Sequence, residues 1–215
     1  MVKRGHFIVV EGLEGAGKST ALQTIKQVLA ERIPDMIGTR EPGGTRVGEA
    51  ARQLIKESVP NEVLDPRTEL LLLYASRVQL IEQVILPSLN QGTWVVGDRF
   101  ELSTWAYQGG GRRLDLEMIR HLSSFCLRDF EPDLTIFLDI SPELGLARAH
   151  HRGAADRIES EPLVFFEQVY EAYHARIKQL KNVVIIDASQ PLAIVQQCIS
   201  DTLNAYMTEH LGHHD

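Results

Sequence analysis

The sequence predicts a three-layer α/β fold around a parallel sheet of about five strands, and two observations carry that prediction. Short, apolar runs rich in β-branched residues recur at 7–10, 36–39, 94–97, 134–138 and 183–186. They lack the apolar/polar alternation of a half-exposed strand, so both faces of each should be covered. Long stretches with apolar residues every three or four positions separate them, so strand and helix alternate along the chain. The 215 residues, 44% of them hydrophobic, suffice for a substantial core. No repeat, low-complexity tract or Pro/Gly-rich linker divides residues 1–215, and a single domain is expected.

The first run, Phe7-Ile8-Val9-Val10, stops at Glu11 and leads into the spacing G-x-x-x-x-G-K-S from Gly12 to Ser19. Ala21, Leu22, Ile25, Val28 and Leu29 then recur at helical intervals. A glycine-rich loop between a strand and a helix is the setting of a phosphate-binding loop. Gly12, Gly15 and Gly17 let backbone N–H groups approach a polyphosphate that a Cβ would obstruct, and the helix start adds free N–H groups and a positive dipole end. Leu13, Glu14, Ala16 and Thr20 complete the loop. Lys18 offers a point charge to the β- and γ-phosphates, and the Ser19 hydroxyl offers a ligand to magnesium. A dinucleotide fingerprint fits less well, because Thr20 stands where its third glycine belongs.

Net charge −7 and pI near 5.6 argue against a nucleic-acid or anionic-membrane surface. No apolar run approaches the about 18 residues of a membrane span. Lys3-Arg4 and the few apolar residues before Glu11 make too short a signal peptide, so a soluble cytoplasmic protein is expected. Cys126 and Cys198 are distant and lone, and read as small core residues.

Further along, the second strand runs into Arg40-Glu41-Pro42-Gly43-Gly44-Thr45, at the strand end where ligands of open parallel sheets bind. This is either a substrate loop or a plain connection. Asp65-Pro66 looks like an N-cap with proline at the first helical position. The helix it opens is unusually apolar from Leu70 to Ile85 and should end before Pro87, with part of its surface available to a second subunit. Arg77 inside it needs a partner, either an internal carboxylate or a bound base. The third strand ends at Asp98-Arg99-Phe100. An arginine there suits an anionic acceptor better than a water-orienting role, and Asp98 is a candidate for magnesium or its water shell. Ser103, Thr104, Tyr107 and Gln108 follow on a helical turn as hydrogen-bond partners for a sugar or base. Gly109-Gly110-Gly111-Arg112-Arg113 reads as a flexible basic loop. Arg148, His150, His151, Arg152 and Arg157 cluster around a break in pattern, either a solvated helix end or a lid at about 148–160 that brings arginines over phosphates. Amphipathic helices are expected over 162–180 and 191–206.

Taken in order, Gly12 through Thr20, Arg40 through Thr45, Tyr74-Ala-Ser-Arg77, Asp98-Arg99-Phe100 with Ser103 through Gln108, and Asp156-Arg-Ile-Glu159 resemble the bacterial thymidylate kinases, a P-loop kinase fold. The resemblance implies transfer of the γ-phosphoryl group of ATP to dTMP, with magnesium, in a homodimer. It implies that Gly12 through Thr20 and Arg148 bind ATP, and that Lys18, Asp98, Arg99 and Arg152 serve the transfer. Ser19 and Asp98 would hold the metal. Arg99 would grip the acceptor phosphate, Arg77 would meet the thymine carbonyl, and Ser103, Thr104 and Gln108 would line the base pocket. Tyr107 would crowd the position of a ribose 2′-hydroxyl, Glu14 would reach the 3′-hydroxyl side, and Arg40 and Leu73 would complete the acceptor site. With no arginine in the P-loop, the chain is similar to the subgroup that carries its arginines in the lid. Leu73 and Phe100 depart from the stacking phenylalanine and the polar aromatic common at these places. Competing readings are another nucleoside- or nucleotide-monophosphate kinase and a P-loop regulatory switch. Against the switch stand the missing N-K-x-D guanine-reading motif and Arg99 in place of a water-orienting residue.

Overall fold

The computed structural model describes residues 3–150 and 156–211. Five strands, β1 (Phe7–Gly12), β2 (Met36–Arg40), β3 (Trp94–Asp98), β4 (Leu134–Asp139) and β5 (Val183–Asp187), form one sheet in the order β2-β3-β1-β4-β5. Every pairing is parallel. Successive β1 side chains go to opposite faces. Ile8 and Val10 join a core with α1 (Lys18–Ala30), α8 (Leu163–Ile177) and α9 (Leu192–Leu211). Phe7 and Val9 join a second core with α3 (Pro66–Leu80) and α6 (Leu116–Leu127). Apolar side chains on both faces of a strand produce three layers. The edge strands β2 and β5 are only partly buried.

The strands extend one or two residues beyond the apolar runs, into Gly12, Arg40, Asp98, Asp139 and Asp187, because ladder pairing continues there: Asp98 lies level with both Val10 and Arg40. The polar carboxyl ends of the strands are thus brought level on one side of the sheet. β1 is central, with β3 on one side and β4 on the other. Its carboxyl end is the switch point where an open α/β sheet binds ligands.

Side-chain caps fix the helix starts. Thr45 caps α2 (Arg46–Lys56) through Gly48 N–H, Asp65 caps α3 through Arg67 N–H with Pro66 at the first position, and Asp115 caps α6 through Glu117 N–H. α3 does not end before Pro87. It passes through a π-helical turn, Ile81–Ile85, into α4 (Leu86–Asn90). The wider turn shifts the hydrogen-bond register where the proline lacks a donor. The resulting stretch Pro66–Asn90 is long and apolar enough to cross a membrane by length and composition, contrary to the expectation that no run comes close. It nevertheless carries buried Glu69 and Arg77, and its apolar residues Leu70, Tyr74, Leu80, Ile81, Ile85 and Leu89 pack in the second core.

The glycine triplet is not a flexible loop. α5 (Glu101–Thr104) continues into a π-helical turn, Trp105–Gly111, packed closely on α8. A Cβ on Gly110 would lie 2.5 Å from Ala172 Cβ and 2.7 Å from Gln168 O. Helix packing, not chain flexibility, calls for glycine here. Arg112 sits over the Phe165 ring and pairs with Glu69 and Glu161. Cys198 is exposed on α9 rather than in the core, while Cys126 is partly buried. α7 (Pro142–His150) leads to His151 and Arg152, which lie outside the described residues.

Candidate active site

The loop from β1 to α1 is shaped by its glycines. Gly15 has φ 73°, and a Cβ there would meet Gly145 O at 1.9 Å, so the backbone of α7 packs directly on the loop. Gly17, left-handed at φ 89°, precedes α1 and offers no side-chain cap. The first intrahelical bond runs from Ala21 N–H to Gly17 O. The N–H groups of Lys18, Ser19 and Thr20 therefore face outward at the positive end of the helix. Leu13 and Ala16 are buried and anchor the loop, while Ser19 is exposed. Lys18 Nζ donates to Gly12 O (2.9 Å) and Leu13 O (2.8 Å). Burial, reinforced by the charge of Arg99, pushes its pKa down to about 8.

Beside Lys18 opens a cavity of about 230 Å³. Among the expected site residues, Glu14, Leu73, Arg77, Asp98, Arg99, Ser103, Thr104, Tyr107 and Gln108 all line it with Lys18. Arg99 leaves β3 with φ 66°, a left-handed conformation uncommon for a residue with a side chain. Its N–H holds Val10 O at 2.9 Å. The guanidinium donates to Glu14 Oε1 (2.8 Å), Ser103 Oγ (3.0 Å), Tyr173 OH (3.1 Å) and Tyr107 OH (3.1 Å). Tyr107 OH in turn donates to Glu14 Oε2 at 2.6 Å.

Two residues behind this group escape the sequence reading. Glu11, there only the end of a strand, has no solvent exposure. It accepts from Phe100 N–H, Ser103 N–H, Ser103 Oγ and Tyr173 OH, which fixes the turn that aims Arg99. Burial raises the Glu11 pKa, and Arg99 opposes the rise. Tyr173 comes from α8, 162 residues away in sequence, and no local motif signals either role.

Arg77 is 1% exposed. It lies between the Tyr74 and Phe100 rings and donates to Glu41 Oε2 (2.7 Å) and Thr104 Oγ1 (2.9 Å). Its remaining terminal nitrogen is buried with no partner among the described residues, as is Asp98 Oδ1. Buried donors and acceptors of this kind are costly unless something meets them. Arg77 thus has its internal carboxylate in Glu41, and its residue borders the cavity.

Other expected residues lie apart from this cavity. Arg40 pairs with Glu49 on the surface. The chain alternates at the end of β2, so Glu41 is the residue that turns inward. Arg148 donates to Ala188 O and Ser189 O after β5. Arg52 lines the cavity too, as do Lys56, Asp156, Ile158 and Glu159, to which the sequence assigns no place in it.

A parallel sheet with a glycine-rich phosphate loop at its switch point, opening beside an arginine-lined cavity, defines a P-loop nucleotide-binding α/β protein of the phosphotransferase type. The thymidylate kinase family model matches residues 10–199. Thymidylate kinase of Legionella pneumophila strain Corby is 54% identical over 207 residues, 96% of this chain and 98% of that protein. The strain Paris thymidylate kinase is 53% identical over the same span. The chain belongs to the thymidylate kinase family.

Proposed function

We propose that the chain transfers the γ-phosphoryl group of ATP to dTMP, giving dTDP and ADP. The observation that carries this reading is the shared cavity, in which the P-loop lysine and Arg99 lie together with Arg77 and Gln108. The loop from Gly12 to Thr20 cradles the ATP phosphates. Arg99 holds the acceptor phosphate with its guanidinium fork, and Arg77 meets a thymine carbonyl. A phosphate oxygen of dTMP bonds to the γ-phosphorus as the bond to the β–γ bridging oxygen breaks. The acceptor monoester has a second pKa of about 6, is mostly dianionic at neutral pH, and needs no general base. The protein contributes position and charge, the main requirements of a loose transition state.

Magnesium fits the residues present. Asp98 Oδ1 is a buried acceptor with no partner among the described residues, and Ser19 stands exposed at the start of α1. These two would hold the ion with nucleotide oxygens and water, so no protein-only cage is required. When bound it would neutralise phosphate charge. A homodimer is supported by large apolar side chains left exposed on the helices of one layer: Leu54 on α2, Leu71 on α3, and Met118 and Phe125 on α6. A cytoplasmic site of action is part of the same reading.

The test is an ATP-coupled assay with magnesium against dTMP, dUMP, UMP, dCMP, AMP and GMP. Strong preference for dTMP is expected, and it would show that Leu73 suffices where an aromatic wall is absent. Turnover independent of any acceptor would refute the reading.

A further inference from the structure

Glu69 on α3 is 1% exposed and does not line the cavity, yet three segments around the cavity meet on its carboxylate. Oε1 accepts from Gln108 Nε2 at 2.7 Å and from Arg112 Nε at 3.4 Å. Oε2 accepts from Arg157. Arg157 is itself tied to α2, with its Nε on Ile55 O (2.7 Å) and its N–H on Lys56 O (3.3 Å). The neighbouring Asp156 pairs with Lys56 at 2.6 Å. One buried carboxylate therefore joins α3, the π-helical turn that carries Gln108, and the stretch containing the cavity residues Ile158 and Glu159.

The pairing decides which end of Gln108 faces a ligand. Facing two guanidinium groups, the Glu69 carboxylate serves as an acceptor on both oxygens, so the amide beside it must present its NH₂. The carbonyl Oε1 is the end left over, and it takes no hydrogen bond among the described residues. Gln108 lines the cavity, so what it presents there is an acceptor. An acceptor there matches the N3–H of an imide-type pyrimidine, thymine or uracil. Cytosine offers a lone pair at N3 and would set acceptor against acceptor.

We propose that Glu69 is a positioning residue for base selection: it locks the Gln108 amide with its carbonyl toward the acceptor base, so that the site takes a pyrimidine with N3–H and rejects one without it. The proposal rests on the reading of the cavity as the dTMP site.

Glu69→Gln replaces the acceptor-only group by an amide, which lets Gln108 turn either end to the base. The measurement is kcat and KM for phosphoryl transfer from magnesium–ATP to dTMP and to dCMP, with the ATP KM and the thermal midpoint recorded alongside. The ratio of kcat/KM for dTMP over dCMP is expected to fall about tenfold or more, mainly through the dTMP KM, with the ATP KM unchanged to within about twofold. Glu69→Asp keeps the charge against both arginines and withdraws the carboxylate by one methylene. It is expected to lower the ratio in the same direction, and it serves if the glutamine variant does not fold. A folded variant that slows both acceptors alike and keeps the wild-type ratio overturns the proposal, leaving Glu69 an ion-pair partner and nothing more. A wild-type enzyme without preference for dTMP overturns the reading of the cavity and the proposal together, and that result is visible before any variant is made.

Discussion

Glu41 Oε2 and Arg77 Nε meet over 2.7 Å, with 4% and 1% of their side chains exposed. Burial is the larger influence on Glu41 and pushes its pKa up to about 7, against the pull of Arg77. Between the ordinary carboxylate range and about pH 7 the native protein keeps a proton that the unfolded chain has released. This group's contribution to stability therefore falls as pH rises through that window. The expected outcome is that the stability of wild type minus that of Glu41→Gln, from urea melts, declines by roughly 1–3 kcal/mol between about pH 5 and about pH 8. A difference that stays flat or grows with pH would show that Arg77 holds Glu41 ionised throughout.

In the proposed reading Arg99 divides the acceptor from the ATP side of the site, and Arg99→Ala tests that division. Its four hydrogen-bond partners among the described residues, Glu14, Ser103, Tyr107 and Tyr173, all belong to the wall of the cavity or its backing. Steady-state kinetics should show kcat/KM for dTMP reduced by about 100-fold or more, with a raised acceptor KM, while ATP affinity changes by no more than about threefold. Arg99→Lys should restore little, since an ammonium cannot reproduce the planar fork. Loss of ATP binding in Arg99→Ala would mean that the arginine serves the donor phosphates instead.

Much of the fold was legible because central parallel strands leave a strong local trace: Ile8, Val10, Phe7 and Val9 are all apolar because both faces are covered. The P-loop was legible for a related reason, since a tight turn around phosphate constrains consecutive residues. The rest depends on contacts that no local pattern records. Glu11 is held by Tyr173 across 162 positions, and Glu69 by Arg157 across 88. A buried carboxylate and a solvated one look alike in sequence. The glycine triplet misleads because composition alone cannot distinguish flexibility from close helix packing, and Pro87 misleads because a π-helical turn absorbs its missing donor.

Lys18 gives a pH dependence on the donor side. Burial and then the Arg99 charge bring its pKa down to about 8, although Glu14, Asp98 and Glu11 pull the other way. Free protein loses the ammonium charge as pH passes that value, while bound polyphosphate favours the charged form. Binding above about pH 8 must then take up a proton, and affinity falls by up to about tenfold per pH unit. Equilibrium binding of magnesium–ATP without acceptor should show the dissociation constant rising between about pH 8 and about pH 9. Lys18→Met should bind more weakly and lose the slope. An unchanged slope in that variant would assign the titration to another group.

Gly110→Ala separates the packing account of the glycine triplet from the expected flexible loop. In a loop, alanine would be harmless or slightly stabilising, because it restricts the unfolded chain. In the π-helical turn the added methyl would stand 2.5 Å from Ala172 Cβ and 2.7 Å from the Gln168 carbonyl oxygen. Neither neighbour is the end of a flexible side chain, so the turn or α8 must move. Overpacking of this kind costs about 1–3 kcal/mol, more than the helix propensity gained by replacing glycine, which is about 1 kcal/mol. A lower thermal midpoint is therefore expected. Tyr107 and Gln108 lie on the same turn, Trp105–Gly111, so displacement should raise the dTMP KM more than the ATP KM. A variant as stable as wild type with both constants unchanged would show that the turn yields freely and that the glycines are not required by the packing on α8.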